Sequence, residues 1–121
     1  MTHVLLVDDE PLLCDELADG LELEGFEVHA EHTVPDALNA LAASSYDAVI
    51  TDLKMPKMGG MDLIRALGQR SFDGVIIVLS GHGAERSRTD ALAAGARACL
   101  SKPVDVDEVV TLLSQHLPPS N

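Results

Sequence analysis

At 121 residues the chain is long enough to bury a core as one domain without disulfide or metal staples. Asp and Glu number 20 against 8 Lys and Arg, a net charge of −12, which argues against direct binding to nucleic acid or anionic lipid, since both need a basic footprint. Hydrophobic residues make up 46% of the sequence but only Phe26, Tyr46 and Phe72 are aromatic, so the core has to be aliphatic.

The chain opens with His3-Val4-Leu5-Leu6-Val7, a short apolar run that reads as a strand and stops at Asp8-Asp9-Glu10. Pro11 suits the first turn of a helix; Leu12, Leu13, Leu17 and Leu21 follow at helical spacing, and Gly25 stops it. Phe26 to Glu31 alternates and reads as a half-exposed edge strand. Thr33 is an N-cap with Pro35 and Asp36 in the first turn, and Ala37, Leu38, Leu41 and Ala42 form the stripe of a second helix. Tyr46 to Thr51 is a β-branched apolar run that ends abruptly at Asp52. Lys54 to Gly60 is a loop, because the residue before Pro56 is pushed out of the α region. A third helix carries Leu63, Ile64 and Leu67 and ends near Gly68.

Val75 to Leu79 is again wholly apolar and gives way to Ser80-Gly81-His82-Gly83. Ala84 to Ala94 is helical but weakly apolar, and Gly95 closes it. Arg97 to Ser101 is the last strand, ending at Lys102-Pro103. Asp105 with Glu108 has the form of a capping box, and Val106, Val109, Val110 and Leu113 stripe the final helix. Pro118-Pro119 ends regular structure. Five strands alternating with five helices specify an α/β fold, a single doubly wound parallel sheet with helices on both faces.

Cys14 and Cys99 are far apart, have no metal-ligand spacing and fall in apolar patterns, so both read as small buried hydrophobes in a reducing compartment. No signal pattern opens the sequence and no apolar run approaches the length of a membrane span, so a cytoplasmic protein is expected.

The polar residues fall at strand ends. Asp8 and Asp9 follow the first strand, Asp52 ends the third, Ser80 the fourth and Lys102 the fifth. In a parallel sheet these ends share one edge, the edge where ligands bind. Each has a plain local reading: Asp8 and Asp9 as caps, Ser80 as a turn residue, Lys102 as a surface lysine. Their joint convergence is harder to reach by accident. Crowded carboxylates disfavour one another's ionisation, so a cluster that stays ionised calls for a cation. Mg²⁺, or Mn²⁺, fits as a hard ion that takes oxygen ligands and bridges carboxylate to phosphate. Lys102 and Ser80 then offer an ammonium and a hydroxyl to an anion beside it, and a carboxylate can itself be phosphorylated. Without a cation the crowding strains the fold, so Asp52→Asn and Asp9→Asn are expected to stabilise the metal-free protein.

Val7-Asp8-Asp9-Glu10, Thr51-Asp52-Leu53-Lys54-Met55-Pro56, Gly59-Gly60-Met61-Asp62, Leu79-Ser80-Gly81-His82 and Leu100-Ser101-Lys102-Pro103, in that order, resemble the receiver domain of two-component response regulators, a flavodoxin-like fold. The resemblance spans residues 1–117, leaving 118–121 as a tail or the start of a linker. It implies strand order 2-1-3-4-5. It also implies Asp52 as phosphoacceptor, Asp8, Asp9, Asp52 and the Lys54 backbone carbonyl as Mg²⁺ ligands, Lys102 as the partner of the phosphoryl group, Ser80 as a switch hydroxyl and a cis bond before Pro103. The implied donor is a phosphohistidine on a histidine kinase or phosphotransfer protein. The implied output is a partner or attached domain engaged through the last two helices and the last strand, a surface that also admits a homodimer. Such a protein is not an enzyme in the ordinary sense, though it can slowly dephosphorylate itself.

The family usually carries an aromatic residue or His three positions before the lysine; here that position is Cys99, which has no ring to swing. The signal is therefore expected to pass through Ser80 and the Gly81-containing loop and helix after it. Lys54 and His82 lie two residues beyond Asp52 and Ser80 and are candidates for tuning phosphoryl lifetime; His29 and His32 read as surface residues. Two other functions compete. A small Mg²⁺-dependent phosphohydrolase would place a second Asp where Lys54 stands, and a pseudo-receiver acting as a constitutive interaction module would have no need of the intact set of site residues.

Overall fold

The computed structural model describes residues 2–81 and 85–117; His82, Gly83, the expected helix start at Ala84 and the tail from Pro118 lie outside the described residues. Strands and helices alternate as β1 (His3–Val7), α1 (Pro11–Leu23), β2 (Glu27–Glu31), α2 (Val34–Ala43), β3 (Ala48–Asp52), α3 (Gly60–Gln69), β4 (Val75–Ser80), α4 (Glu85–Ala94), β5 (Ala98–Ser101) and α5 (Val106–His116). Every strand pair is parallel and the sheet order is β2-β1-β3-β4-β5.

The interior strands are the ones that read as unbroken apolar runs. Val4 to Val7 and all of β3 and β4 are buried, because helices cover both faces of a parallel sheet. Successive side chains point to opposite faces. Val4, Leu6, Ile50, Ile77 and Leu79 therefore pack with Cys14, Leu17 and Leu21 of α1 and with Val109 and Leu113 of α5. Leu5, Val7, Val49, Ile76 and Val78 pack with Ala37 of α2, Leu63, Ile64 and Leu67 of α3 and Ala91 of α4. β2 is the alternating edge strand. β5 is the opposite edge and has no fully buried residue.

Two sequence expectations change. Leu12 and Leu13 do not join the buried face of α1: they are 79% and 44% exposed, and the face is Cys14, Leu17, Ala18 and Leu21. Leu12 precedes Leu17 by five residues, which turns it about 140° away around the helix. Leu13 lies on the right side but one turn above it, past the end of β1. Asp105 caps α5 only in part: its carboxylate accepts from the Asp107 N–H at 3.1 Å, and the Glu108 N–H goes to the Asp105 carbonyl instead. Thr33 caps α2 as expected, its hydroxyl accepting from the Asp36 N–H at 3.2 Å. Gly25 and Gly95 follow α1 and α4 with φ of 97° and 125°, a left-handed conformation that glycine adopts at no steric cost.

The start of α3 presses on the end of β3. A Cβ on Gly60 would stand 2.4 Å from the Asp52 carbonyl oxygen, and one on Gly59 would stand 2.7 Å from that of Leu53. The glycines let helix and strand backbone meet at this distance. Gly60→Ala therefore pushes backbone against backbone and is expected to cost about 1–3 kcal/mol, read by urea denaturation, with the amide of Asp52 among the resonances that shift most.

Candidate functional site

Because the strands are parallel, β1, β3, β4 and β5 deliver their last residues to one edge, and Lys102 ties three of those ends together. Its ammonium lies 2.7 Å from Asp52 Oδ2 and 3.3 Å from Asp8 Oδ2, with Glu10 Oε1 at 3.8 Å. Its backbone N–H donates to the Ser80 carbonyl at 2.8 Å, which fixes the base of the side chain on β4. The peptide bond to Pro103 is cis. Asp8 and Asp52 are 3% and 6% exposed. Burial pulls the Lys102 pKa down, but the hydrogen bonds and charges of Asp52 and Asp8 outweigh it and hold the pKa above its ordinary value.

Asp8 both caps and pairs. Its Oδ1 accepts from the Glu10 N–H at 3.0 Å, just ahead of α1, while Oδ2 faces Lys102. Asp52 Oδ1 accepts from the Lys54 N–H at 3.2 Å, so the Lys54 backbone meets Asp52 through its N–H, and the Lys54 side chain is exposed. The loop beyond is anchored by Gly60 N–H to the Leu53 carbonyl at 2.9 Å and by Gly59 N–H to Asp62 Oδ2 at 3.0 Å. Ser80 is 2% exposed, and its hydroxyl is the one buried side-chain polar atom without a partner among the described residues.

The carboxylates of Asp8, Asp9 and Glu10 offer oxygens within 4.8 Å of one another. An all-oxygen donor set fits a hard dication such as Mg²⁺ or Mn²⁺, and the single ammonium of Lys102 leaves the cluster in negative excess. Asp52 stands across Lys102 from this group. Beside Asp8 and Lys102 opens a cleft of about 510 Å³, lined by Leu13, Leu17, Val104 and Val106.

Toward β5, Cys99 is half-buried rather than part of the core. Its thiol donates to the Arg88 carbonyl at 3.8 Å; burial raises its pKa against the opposing charge of Arg88. Arg88 Nη2 in turn donates to Ser101 Oγ at 2.8 Å, so α4 is tied to the end of β5. Gly81 is exposed beside Ser80. Cys14, by contrast, is sealed in the core, and burial, with Asp8 and Asp15 adding, pushes its thiol up to about 11.

The sequence reading overlooked three side chains at this edge. Glu10 continues the acidic run, so adjacency alone could have signalled it. Arg88 and His32 carried no such signal: their partners are 13 and 24 residues away and meet them only through the sheet.

Comparison with known proteins agrees with the fold. The protein-family model described as response regulator receiver domain matches residues 4–114. Transcriptional regulatory protein KdpE of Mycobacterium tuberculosis is 36% identical over 113 residues, covering 93% of this chain and 50% of that protein. Transcriptional regulatory protein CpxR of Escherichia coli is 38% identical over 110 residues, covering 91% and 47%. The crystal structure of a response regulator receiver domain protein from Clostridium thermocellum superimposes with a TM-score of 0.90 at 31% identity, covering 95% of this chain and 93% of that one. The chain thus spans about half the length of the curated relatives it matches. Among the described residues no helix is long and apolar enough to cross a membrane.

The geometry divides the expected effects of neutralising the carboxylates. Asp9 has no hydrogen-bond partner among the described residues and only adds repulsion, so Asp9→Asn raises the melting temperature in chelator at low salt. Asp52→Asn relieves repulsion but forfeits the 2.7 Å pair, so it gains less than Asp9→Asn. Lys102→Met leaves the carboxylates uncompensated and costs about 1–3 kcal/mol after allowing for solvent at the ammonium. Since the Lys102 pKa is raised on folding, this contribution is complete below the unfolded lysine value of about 10.4 and is lost as pH rises through the folded value. The difference between wild type and Lys102→Met, measured by denaturation, should be flat from neutral pH up to that point and shrink above it.

Proposed function

The chain belongs to the family of response regulator receiver domains, and on that premise we propose that residues 1–117 form a signalling switch controlled by phosphorylation of Asp52. The observation that carries the reading is a buried carboxylate, Asp52, held 2.7 Å from Lys102 at the edge where Asp8, Asp9 and Glu10 gather. The donor is a phosphohistidine of a histidine kinase or phosphotransfer protein. The N–P bond of the phosphoimidazole breaks, an Asp52 Oδ–P bond forms, and the imidazole leaves and takes up a proton. The exposed Leu13 and the apolar cleft beside Lys102 give the donor protein a footing next to the acceptor.

Asp8, Asp9 and Asp52, with the Lys54 carbonyl, would hold Mg²⁺, which when bound would supply positive charge to the phosphoryl oxygens. The chain's own residues do the rest. Lys102 gives up an Asp52 oxygen and pairs with a phosphoryl oxygen. Ser80, whose hydroxyl has no partner among the described residues, donates to another. Movement of Ser80 draws on the adjoining α4, which is thinly attached: Ala91 is its one buried residue among those described, and the bond from Arg88 to Ser101 is exposed. With Cys99 in place of a ring, this route carries the signal to the α4, β5 and α5 surface, where an output partner or domain binds.

Intact mass after incubation with acetyl phosphate tests the reading. Wild type is expected to gain the mass of one phosphoryl group only when Mg²⁺ is present, and Asp52→Asn to gain none. Phosphate release without a trapped adduct would favour a phosphohydrolase, and neither adduct nor release with acetyl phosphate or a phosphohistidine donor would favour a pseudo-receiver. In the phosphorylated protein, amide shift changes are expected at Ser80, Arg88 and Ser101; shifts confined to the carboxylate cleft would sink the proposed signal route.

A further inference from the structure

β2 ends at Glu31, and its last ladder bond is the Asp8 N–H to the Glu31 carbonyl, 3.1 Å. In a parallel ladder the Asp8 carbonyl would next accept the N–H of the residue two beyond Glu31. That residue is Thr33, and the chain has already turned there to cap α2. The imidazole of His32 takes the missing place: Nδ1 donates to the Asp8 carbonyl at 2.9 Å.

Asp8 is then held at every polar atom. Its N–H goes to Glu31, its carbonyl to His32, Oδ1 to the Glu10 N–H and Oδ2 to Lys102. The carbonyl is the contact that fixes the Asp8–Asp9 peptide plane, and this plane sets the directions in which the two carboxylates leave the backbone. We propose that His32 is a positioning residue of the metal centre, a side chain standing in for a ladder donor so that Asp8 and Asp9 are presented together. The inference rests on the reading that these carboxylates hold Mg²⁺.

Loss of an outer partner that orients ligands typically weakens a metal site by roughly 10–100-fold. His32 is exposed, and water can satisfy the freed carbonyl without fixing it, so the low end applies. The test is titration of the full chain with Mg²⁺ alone, followed by NMR at the Asp8, Asp9 and Glu10 amides, for wild type, His32→Ala, His32→Asn and His32→Gln. His32→Ala is expected to bind about tenfold more weakly. His32→Asn, whose amide nitrogen can stand where Nδ1 stands, should recover most of the loss, and His32→Gln, whose amide lies one carbon further out, should not. Melting in chelator should not distinguish His32→Ala from His32→Asn, since the contact acts on ligand geometry. Equal Mg²⁺ affinity for wild type and His32→Ala, or no recovery in His32→Asn, overturns the role of His32 while leaving the switch intact. Absence of Mg²⁺ binding by wild type takes down the metal site and His32 together.

Discussion

The structure depends on one ammonium placed between buried carboxylates. Asp8 and Asp52 are almost wholly removed from water, and an ionised carboxylate there is costly unless paired and hydrogen-bonded. Lys102 meets both. It can do so because of strand order: β1 and β3 are neighbours, so their ends set the two carboxylates side by side, while β5 lies beyond β4. A four-carbon side chain is needed to cross the end of β4. The bond from the Lys102 N–H to the Ser80 carbonyl gives that crossing a fixed origin. An antiparallel sheet would send alternate strand ends to opposite edges, and these four residues could not all meet.

Around this pair the edge divides into a stiff half and a soft half. On the stiff side, Asp8 is bonded at four atoms, Asp52 is braced by the Lys54 N–H, and the glycines at the start of α3 bring that helix against the Asp52 carbonyl. The Asp52 carboxylate is thereby held in place, which suits its proposed role as acceptor of a phosphorus arriving along one line. On the soft side, α4 buries Ala91 alone among its described residues, and the bonds that tie it to β5, Cys99 to Arg88 and Arg88 to Ser101, are half-buried or exposed. Regions with few apolar contacts and solvent-exposed bonds open first. The division follows from side-chain size: α3 offers leucine and isoleucine to the sheet, α4 an alanine.

The fold was legible in the sequence because parallel interior strands write themselves as continuous apolar runs, and Val4–Val7, Ala48–Asp52 and Val75–Ser80 do so. The convergence of Asp8, Asp52, Ser80 and Lys102 was legible for a related reason, since each stands at or just past the carboxyl end of a strand, and parallel strands bring those ends to one edge. What failed were statements that needed the position of one element over another. Leu12 and Leu13 have helical spacing, but only the overlap of α1 with β1 decides that the first turn hangs beyond the sheet. Cys99 sits in an apolar pattern, but an edge strand buries little on its outer side. His32 directly precedes a capping threonine and looks like any loop histidine. Its contact with the Asp8 carbonyl comes from the point at which β2 leaves β1, which no local pattern encodes.

The unpartnered hydroxyl of Ser80 gives the proposed switch a scale. A buried donor left without a partner costs about 1–3 kcal/mol, and among the described residues the Ser80 hydroxyl is such a group, at the place where the sheet meets the soft half of the edge. A phosphoryl oxygen arriving on Asp52 would remove that cost. The opposing terms are of similar size: an exposed hydrogen bond such as that of Arg88 to Ser101 contributes about 0.5–1.5 kcal/mol, and a buried alanine adds little more. Each 1.4 kcal/mol is a factor of about ten in a population, so relief of a single hydroxyl can move α4 by one to two orders of magnitude between its arrangements without disturbing the core. Two cores of aliphatic side chains hold the fold, and the proposed switch would work on a difference of the order of a single polar contact.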